Sequence, residues 1–418
     1  MKFIAKFTLF LTIVFFFNCS SEKEQSLIIN GKVVDTITKS ILLVKPGQFL
    51  DSDSLIEIPV TDGKFHYTTK LDFPEAVELF LGQAKNVGGR PMPLFLENTT
   101  INLTIHPENE FDKNIIDGGD INLEYQKYAN DIKSKFGNKI EVIYDSISKL
   151  RKANSYYTEA MNAIQSKINE AKGHDEKLPL WEERKSLVAN KLHLTSKGLI
   201  LDKKLADINK IQNEFKQNYI SQNPNIISYF LFINDLVYRE ESIDINLGKN
   251  NLQKLSKANP NHPYNKLASD LLEAIDNIKV GKKYTNFSAP DLNGNKVKLS
   301  DKIDGKIALL DLWATWCGPC IAKSRTMIPL YDEFKDKGFT IVGVAGERKN
   351  TDRLVKFLKK EKWPWLNLVE LDKQNNIWQK YNVDGGGGGI FLIDNNGLIL
   401  AIDPTSDEVR KELESRLN

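Results

Sequence analysis

The chain has 418 residues, 41% of them hydrophobic, and its 57 Lys and Arg nearly cancel 55 Asp and Glu to leave a formal charge of +2. One typical domain holds about 100 to 200 residues, so two or three units with real cores are expected. Near-neutral charge, with no basic block interleaved with aromatics, excludes nucleic acid as an expected partner.

Lys2 and Lys6 precede an uncharged run from Phe7 to Phe17, the layout of a secretory signal. A helix rising about 1.5 Å per residue cannot cross a hydrocarbon core of ~30 Å in so short a run. Cys19 follows directly, with the polar "SSEKEQS" after it, so residues 1–19 resemble a bacterial lipoprotein signal. The resemblance implies an acylated Cys19 at the mature N-terminus. It also implies an exported, membrane-anchored lipoprotein facing the periplasm or the cell surface. A plain signal peptide, or an uncleaved anchor, is the competing reading.

Residues 26–110 alternate short apolar segments with turn signals, as in "LIINGKVV", "IEIPVTDGKFHYT" and "PLFLENTTINLTIH". Period-2 alternation with Asp-Gly and Pro-Gly punctuation predicts an all-β unit of roughly six to eight strands. On "DGKFHY" and "PLFLEN" this part resembles the β-rich N-terminal domain that precedes thioredoxin-like modules in many bacterial lipoproteins.

Across residues 120–279 the period becomes helical. Tyr125, Tyr128, Ile132, Phe136, Ile140, Ile143, Ile147 and Leu150 advance in steps of three or four, and Tyr157, Met161, Ile164 and Ile168 continue the stripe. A second run takes in Leu201, Leu205, Ile208, Ile211, Phe215 and Tyr219. Four to six helices are expected, forming a spacer or bundle whose apolar stripes are packing surface.

Residues 280–418 read as an α/β unit. A strand, an Asn-Gly turn and a second strand lead to the buried run "IALLDLWAT", which feeds "CGPC". A helix is expected from Pro319 to Lys337, then the strand "FTIVGVA", a helix over Thr351–Lys360 and the segment "WPWLNLVELD". A helix near "NNIWQKY", the glycine run, the hairpin "IFLIDNNGLILAID" and a last helix with a Thr405/Glu408 capping box complete it.

Apart from Cys19 the only cysteines are Cys317 and Cys320. In an exported chain, a lone pair this close points to chemistry rather than to a structural disulfide framework. Zinc competes poorly, because a tetrahedral site wants four ligands, there is no second cysteine pair, and all five histidines lie well upstream. No metal is therefore expected.

"FSAPDLNGNKVKLSD", "GKIALLDLWATWCGPC" and "IFLIDNNGLIL" together resemble the TlpA/ResA-like branch of thioredoxin-fold thiol-disulfide oxidoreductases. The resemblance covers about residues 280–418. It implies that Cys317 attacks a substrate disulfide and Cys320 resolves the mixed disulfide, within an active-site loop of Trp316, Gly318 and Pro319. It implies no cofactor beyond the redox-active Cys317–Cys320 disulfide.

The residues support the same roles. Cys317 falls where a buried strand gives way to a helix, so its thiolate faces unpaired N–H groups and the positive end of the dipole. Up to ~2 kcal/mol from such a terminus brings a thiol from about 8.5 to about 7. Pro319 sits in the first turn, where its missing N–H costs little. Cys320, further inside, is expected to be more shielded and to keep its proton until the resolving step.

Two carboxylates are candidate acceptors of that proton. Asp311 lies within the buried "LLDLW" and matches the buried aspartate of thioredoxin proper. Glu347 ends "IVGVAGE" and matches a glutamate of the ResA-like branch. Desolvation raises the pKa of a carboxylate in an apolar strand, which suits a proton shuttle. A paired structural carboxylate and a solvent-facing strand end are the competing readings.

A peroxiredoxin shares the fold, but its motif needs Pro and Thr or Ser where this chain has Leu310 and Ala314. The remaining alternative is a lipid-anchored binding or assembly protein with an auxiliary thioredoxin-like domain. The dipeptide of "CGPC" favours a reductase acting on protein thiol and disulfide clients, cytochrome maturation among them, supplied by a membrane electron donor. In place of the cis-proline that members of this fold carry before "IFLID", the chain has Gly387 or Gly388. An all-trans, substrate-facing loop is expected there, because a non-proline cis bond costs about 2.5 to 4 kcal/mol.

Overall fold

The computed structural model describes residues 26–34, 37–48, 50, 55–238, 243–383 and 387–417. Cys19 and the apolar run before it lie outside the described residues. Three bodies follow one another along the chain.

The first is a β-sandwich. Strands β1 (Leu27–Val33), β2 (Ser40–Val44), β3 (Ile56–Pro59), β4 (Lys64–Thr69) and β5 (Glu75–Leu81) come first. A turn of helix, α1 (Ala84–Val87), then leads to β6 (Met92–Leu96), β7 (Thr100–Ile105) and β8 (Ile115–Asp117). They form two four-stranded sheets, β4-β1-β7-β8 and β3-β2-β5-β6. Leu27, Ile29 and Leu103 of the first sheet share one core with Ile41, Leu43, Leu79 and Leu94 of the second. The period-2 pattern thus turns one face of each strand inward.

Among the described residues eight α-helices follow, more than the four to six the sequence suggests: α2 (Asp120–Ile132), α3 (Asn138–Lys152), α4 (Glu159–Glu170), α5 (His174–Ala189), α6 (Ser196–Gln222), α7 (Ile226–Tyr238), α8 (Ile245–Ala258) and α9 (Tyr264–Asn277). A π-helical turn, Lys133–Gly137, joins α2 to α3, and three of the other boundaries are caps rather than prolines. Thr158 Oγ1 accepts from Met161 N at 3.3 Å, Thr195 Oγ1 from Gly198 N at 3.2 Å, and Asp244 Oδ1 from Asn246 N at 2.9 Å. The stripe from Tyr125 to Ile168 is therefore not continuous, since the chain leaves the helix at Asn154, whose φ is +49°.

Polar pins fasten this body to the sandwich. Asn122 brackets Phe95, accepting from its N–H at 2.9 Å and donating to its carbonyl at 2.8 Å. Tyr264 Oη does the same for Ala76, at 3.1 and 3.0 Å. Around them Phe95 and Ala76 join the helical core with Tyr229, Phe230 and Leu272.

The third body is built on a five-stranded sheet. A small ribbon, β9 (Ser288–Pro290) with β10 (Lys296–Lys298), and the turn α10 (Ser300–Ile303) precede β11 (Ile307–Trp313). Then come α11 (Gly318–Thr326), α12 (Ile328–Phe334), β12 (Phe339–Glu347), α13 (Asp352–Glu361), β13 (Leu366–Leu371), α14 (Ile377–Lys380), β14 (Gly389–Ile393), β15 (Ile399–Ile402) and α15 (Ser406–Leu417). Sheet order is β13-β12-β11-β14-β15, with β11 to β13 parallel and the last two antiparallel.

Every residue of β11 is buried, as a central strand paired on both edges and covered on both faces requires. Leu310 and Leu312 face one core and Leu309 and Trp313 the other. The helix expected over Pro319–Lys337 is instead α11, α12 and a 3-10 turn at Lys335–Lys337. Pro329 has no N–H for the ladder and crowds the preceding turn, so the helix restarts there. The final capping box is present, with Glu408 N donating to Thr405 Oγ1 at 3.2 Å and Thr405 N donating to Glu408 Oε2 at 2.8 Å.

Candidate active site

Strand β11 delivers Thr315, Trp316 and Cys317 to the edge of the sheet, and α11 starts at the next residue. Cys317 is the N-cap, and its Sγ accepts from Cys320 N at 3.3 Å. A sulfur in that role is stabilised as an anion by the N–H and by the helix dipole. Cys317 and Cys320 are joined, with S–S 1.98 Å and Cα atoms 5.3 Å apart. Both are half-buried, so shielding does not separate them as the sequence suggested. Their surroundings do: Cys317 packs on the core of one sheet face and Cys320 on that of the other.

The loop before β14 closes the far side. The carbonyl oxygen of Gly387 lies 2.7 Å from Cys320 Sγ, an acceptor for the thiol proton once the pair is reduced. Gly387 and Gly388 have φ of +89° and +115°, and among the described residues no peptide bond is cis. A Cβ on Gly388 would stand 2.3 Å from the Leu312 carbonyl oxygen and 3.1 Å from Cys320 Sγ. Proline, fixed near φ −65°, does not fit this backbone, and neither does any side chain.

Asp311 is buried in β11 beneath this loop. Its Oδ2 lies 2.6 Å from Ser324 Oγ, which in turn lies 2.9 Å from the Cys320 carbonyl oxygen. Burial pushes the carboxyl up to about 7, against the lowering effect of the Ser324 hydroxyl. Near neutral pH it is therefore half-protonated, and it reaches Cys320 through Ser324 and the backbone. Sequence reading missed Ser324, although its place one helical turn after Cys320 was a usable signal.

Glu347 is not a solvent-facing strand end, because it is 5% exposed. Its two oxygens are taken by Thr315, accepting from the backbone N–H at 2.7 Å and from Oγ1 at 2.8 Å. It therefore anchors the loop two residues ahead of Cys317, with no free oxygen turned to the sulfurs. Arg353 secures the same residue by donating to the Thr315 carbonyl at 2.9 Å. Trp316 donates to the Gly346 carbonyl at 3.1 Å and lies under the Arg348 guanidinium at 4.7 Å. Pro319 is exposed. Thr315 carried no sequence signal of its own.

Among the described residues no cluster of three or more His, Cys, Asp or Glu is placed to hold a metal ion, and no helix is long and apolar enough to cross a membrane.

A dithiol at a helix N-terminus, on a parallel-stranded sheet with an antiparallel hairpin at its edge, is the arrangement of a thioredoxin-fold oxidoreductase. Comparison with known proteins agrees. Residues 280–402 match the AhpC/TSA family, and residues 27–125 match a domain of unknown function, DUF4369. The thiol-disulfide oxidoreductase ResA of Bacillus thuringiensis is 32% identical over 145 residues, 34% of this chain and 79% of that protein. ResA of Geobacillus kaustophilus is 34% identical over 142 residues, 33% of this chain and 78% of that protein. Among solved structures, the thioredoxin domain of a thiol-disulfide oxidoreductase from Bacteroides vulgatus is 29% identical, covering 34% of this chain and 99% of that one, with a TM-score of 0.31. The chain belongs to the ResA-like family of thiol-disulfide oxidoreductases.

Proposed function

We propose that this protein is an exported, lipid-anchored reductase of protein disulfides that works through Cys317 and Cys320. The observation that carries the reading is the Cys317 sulfur held as the acceptor at the start of α11. The thiolate of Cys317 attacks one sulfur of a client disulfide, and the other client sulfur leaves as a thiolate. Cys320 then loses its proton and attacks Cys317 Sγ, which frees the second client thiol. Two electrons pass to the client, and the protein is left with the disulfide seen here. No cofactor beyond the dithiol is needed, but a membrane thiol relay must return the electrons.

Asp311 is the buried carboxyl coupled to the pair. Ser324 Oγ links it to the Cys320 carbonyl oxygen and not to Sγ, so its charge acts on the Cys320 thiol through the start of α11 rather than as its direct proton acceptor. Gly387 and Gly388 offer bare backbone to an extended client segment, where proline would offer no N–H. Acylated Cys19 would hold the chain at the membrane. Clients are exported protein thiols and disulfides, with the haem-binding cysteines of apocytochromes as one class.

Insulin reduction by the exported chain tests the reading. Cys317→Ser should bring turnover down to the uncatalysed background, and Cys320→Ser should accumulate mixed disulfides with clients in cells. Turnover that survives Cys317→Ser would instead favour a binding protein whose cysteines are incidental.

A further inference from the structure

One contact at the cysteine pair comes from outside the α/β body. The imidazole of His174, the first residue of α5, lies on the backbone of Gly318, between the two cysteines. A Cβ added to Gly318 would meet His174 Cε1 at 2.4 Å and Nδ1 at 2.6 Å. The next residue, Asp175, pairs with Arg325 of α11 at 2.6 Å, while Arg325 also holds Glu361 at 2.9 Å.

The arm that carries them is well defined. Helices α4 and α5 form a hairpin pinched at its base, where Thr158 N donates to the His193 carbonyl at 3.2 Å and Thr195 N donates to the Tyr156 carbonyl at 3.0 Å. From there α5 packs on α4 along one side and on α11 along the other. No residue of α5 is buried, and His174 and Asp175 are both exposed. The arm thus meets the active-site helix through the His174 ring and the Asp175–Arg325 pair among its contacts, with no fully buried residue of its own in α5. Gly387 and Gly388 stand against the sulfurs, while the His174 ring stands against Gly318, between the two cysteines in sequence.

We propose that the α4–α5 arm is the second wall of the client site, with His174 as a specificity-determining residue that admits an extended segment and holds back folded protein disulfides. The inference rests on the dithiol reading above. An L side chain at residue 318 would occupy the place of the ring, so glycine there and histidine at 174 form a matched pair. The Asp175–Arg325 pair is the latch. Both side chains reach solvent, so added salt, which shortens the screening length below the ~8 Å of physiological ionic strength, weakens the pair and the wall yields to ionic strength.

The test uses the full chain, reduced beforehand, in single-turnover oxidation followed by tryptophan fluorescence. The oxidants are insulin, a folded protein disulfide, and bis(2-hydroxyethyl) disulfide, small and neutral. Asp175→Lys and His174→Ala should each raise the insulin rate about two- to fivefold, the range an exposed pair can shift. The small-disulfide rate should stay within about twofold, so the ratio of the two rates moves. A change in thiol chemistry or in folding would move both rates together. Raising NaCl to about 0.5 M should shift the wild-type ratio toward that of Asp175→Lys and leave the variant's ratio in place. Unchanged ratios in both variants overturn the proposal. If the reduced wild type reacts with neither disulfide, the dithiol reading itself fails, which is a different result.

Discussion

Two helices meet at Gly318, and they are held by opposite means. Helix α11 grows from a strand buried at every residue, is capped by a sulfur, and turns Ala322 and Ser324 inward. Helix α5 has no fully buried residue, and its contacts with its neighbour include an exposed histidine ring and an ion pair open to solvent. The difference separates two tasks. Shifting the proton affinity of a thiol or carboxyl needs desolvation and fixed dipoles, which only a rigid core supplies. Selecting among clients needs a surface that can give way, and polar contacts worth little individually provide it.

The largest expected effect is on the buried side. Because the Asp311 carboxyl is raised to about 7 from an ordinary value near 3.9, the folded chain holds a proton that the unfolded chain has lost over that interval. Its contribution is complete below about pH 4 and disappears as the pH rises through 7, so stability falls toward alkaline pH. Asp311→Asn removes this loss. In urea titrations the variant should be more stable than wild type at pH 8, by up to about 4 kcal/mol, and close to it near pH 4. Its reduction rate should also lose the pH dependence centred near 7. Identical stability curves for the two chains would remove Asp311 from both roles.

A smaller effect is expected at Glu347. Glu347→Ala strands the buried N–H and hydroxyl of Thr315, at a cost of about 1–3 kcal/mol, and loosens the loop ahead of Cys317. Thermal melting and reduction rate should both fall, while the shape of the pH–rate profile stays that of wild type. Glu347→Gln keeps one acceptor oxygen and should recover most of the stability. A profile that changed shape in Glu347→Gln would return the residue to the proton path.

The smallest effect belongs to the polar side. Thr195 caps α6 and donates to the Ser155 carbonyl at 2.6 Å, at the base of the arm. Thr195→Ala should cost about 1 kcal/mol, a melting shift of about 2–4 °C for a body of this size. The rate with a small disulfide should not change. A fall in that rate would mean that the two sides of Gly318 are coupled after all.

Much of this was legible in the residues. Alternation at period 2 marks the sandwich and steps of three and four mark the helices, since each reports which face of a regular element is apolar. An uninterrupted apolar run ending in "WCGPC" marks both the central strand and the place of the chemistry. The cap threonines at 158 and 195 were visible too, but a cap signal is common outside helix starts. The expected four to six helices therefore fall short of the eight among the described residues.

What the linear chain determined is therefore the local part: the elements, the cysteine pair, the helix start that tunes it and the glycines that replace a proline. What only the tertiary structure decided is which distant groups share the site. Glu347 is an anchor and not a free carboxylate because Thr315 happens to reach both its oxygens. His174 belongs to the site because a hairpin rooted in another body ends on Gly318. Periodicity reports which way a side chain faces, not what it meets, and contacts between bodies depend on packing that no local pattern encodes.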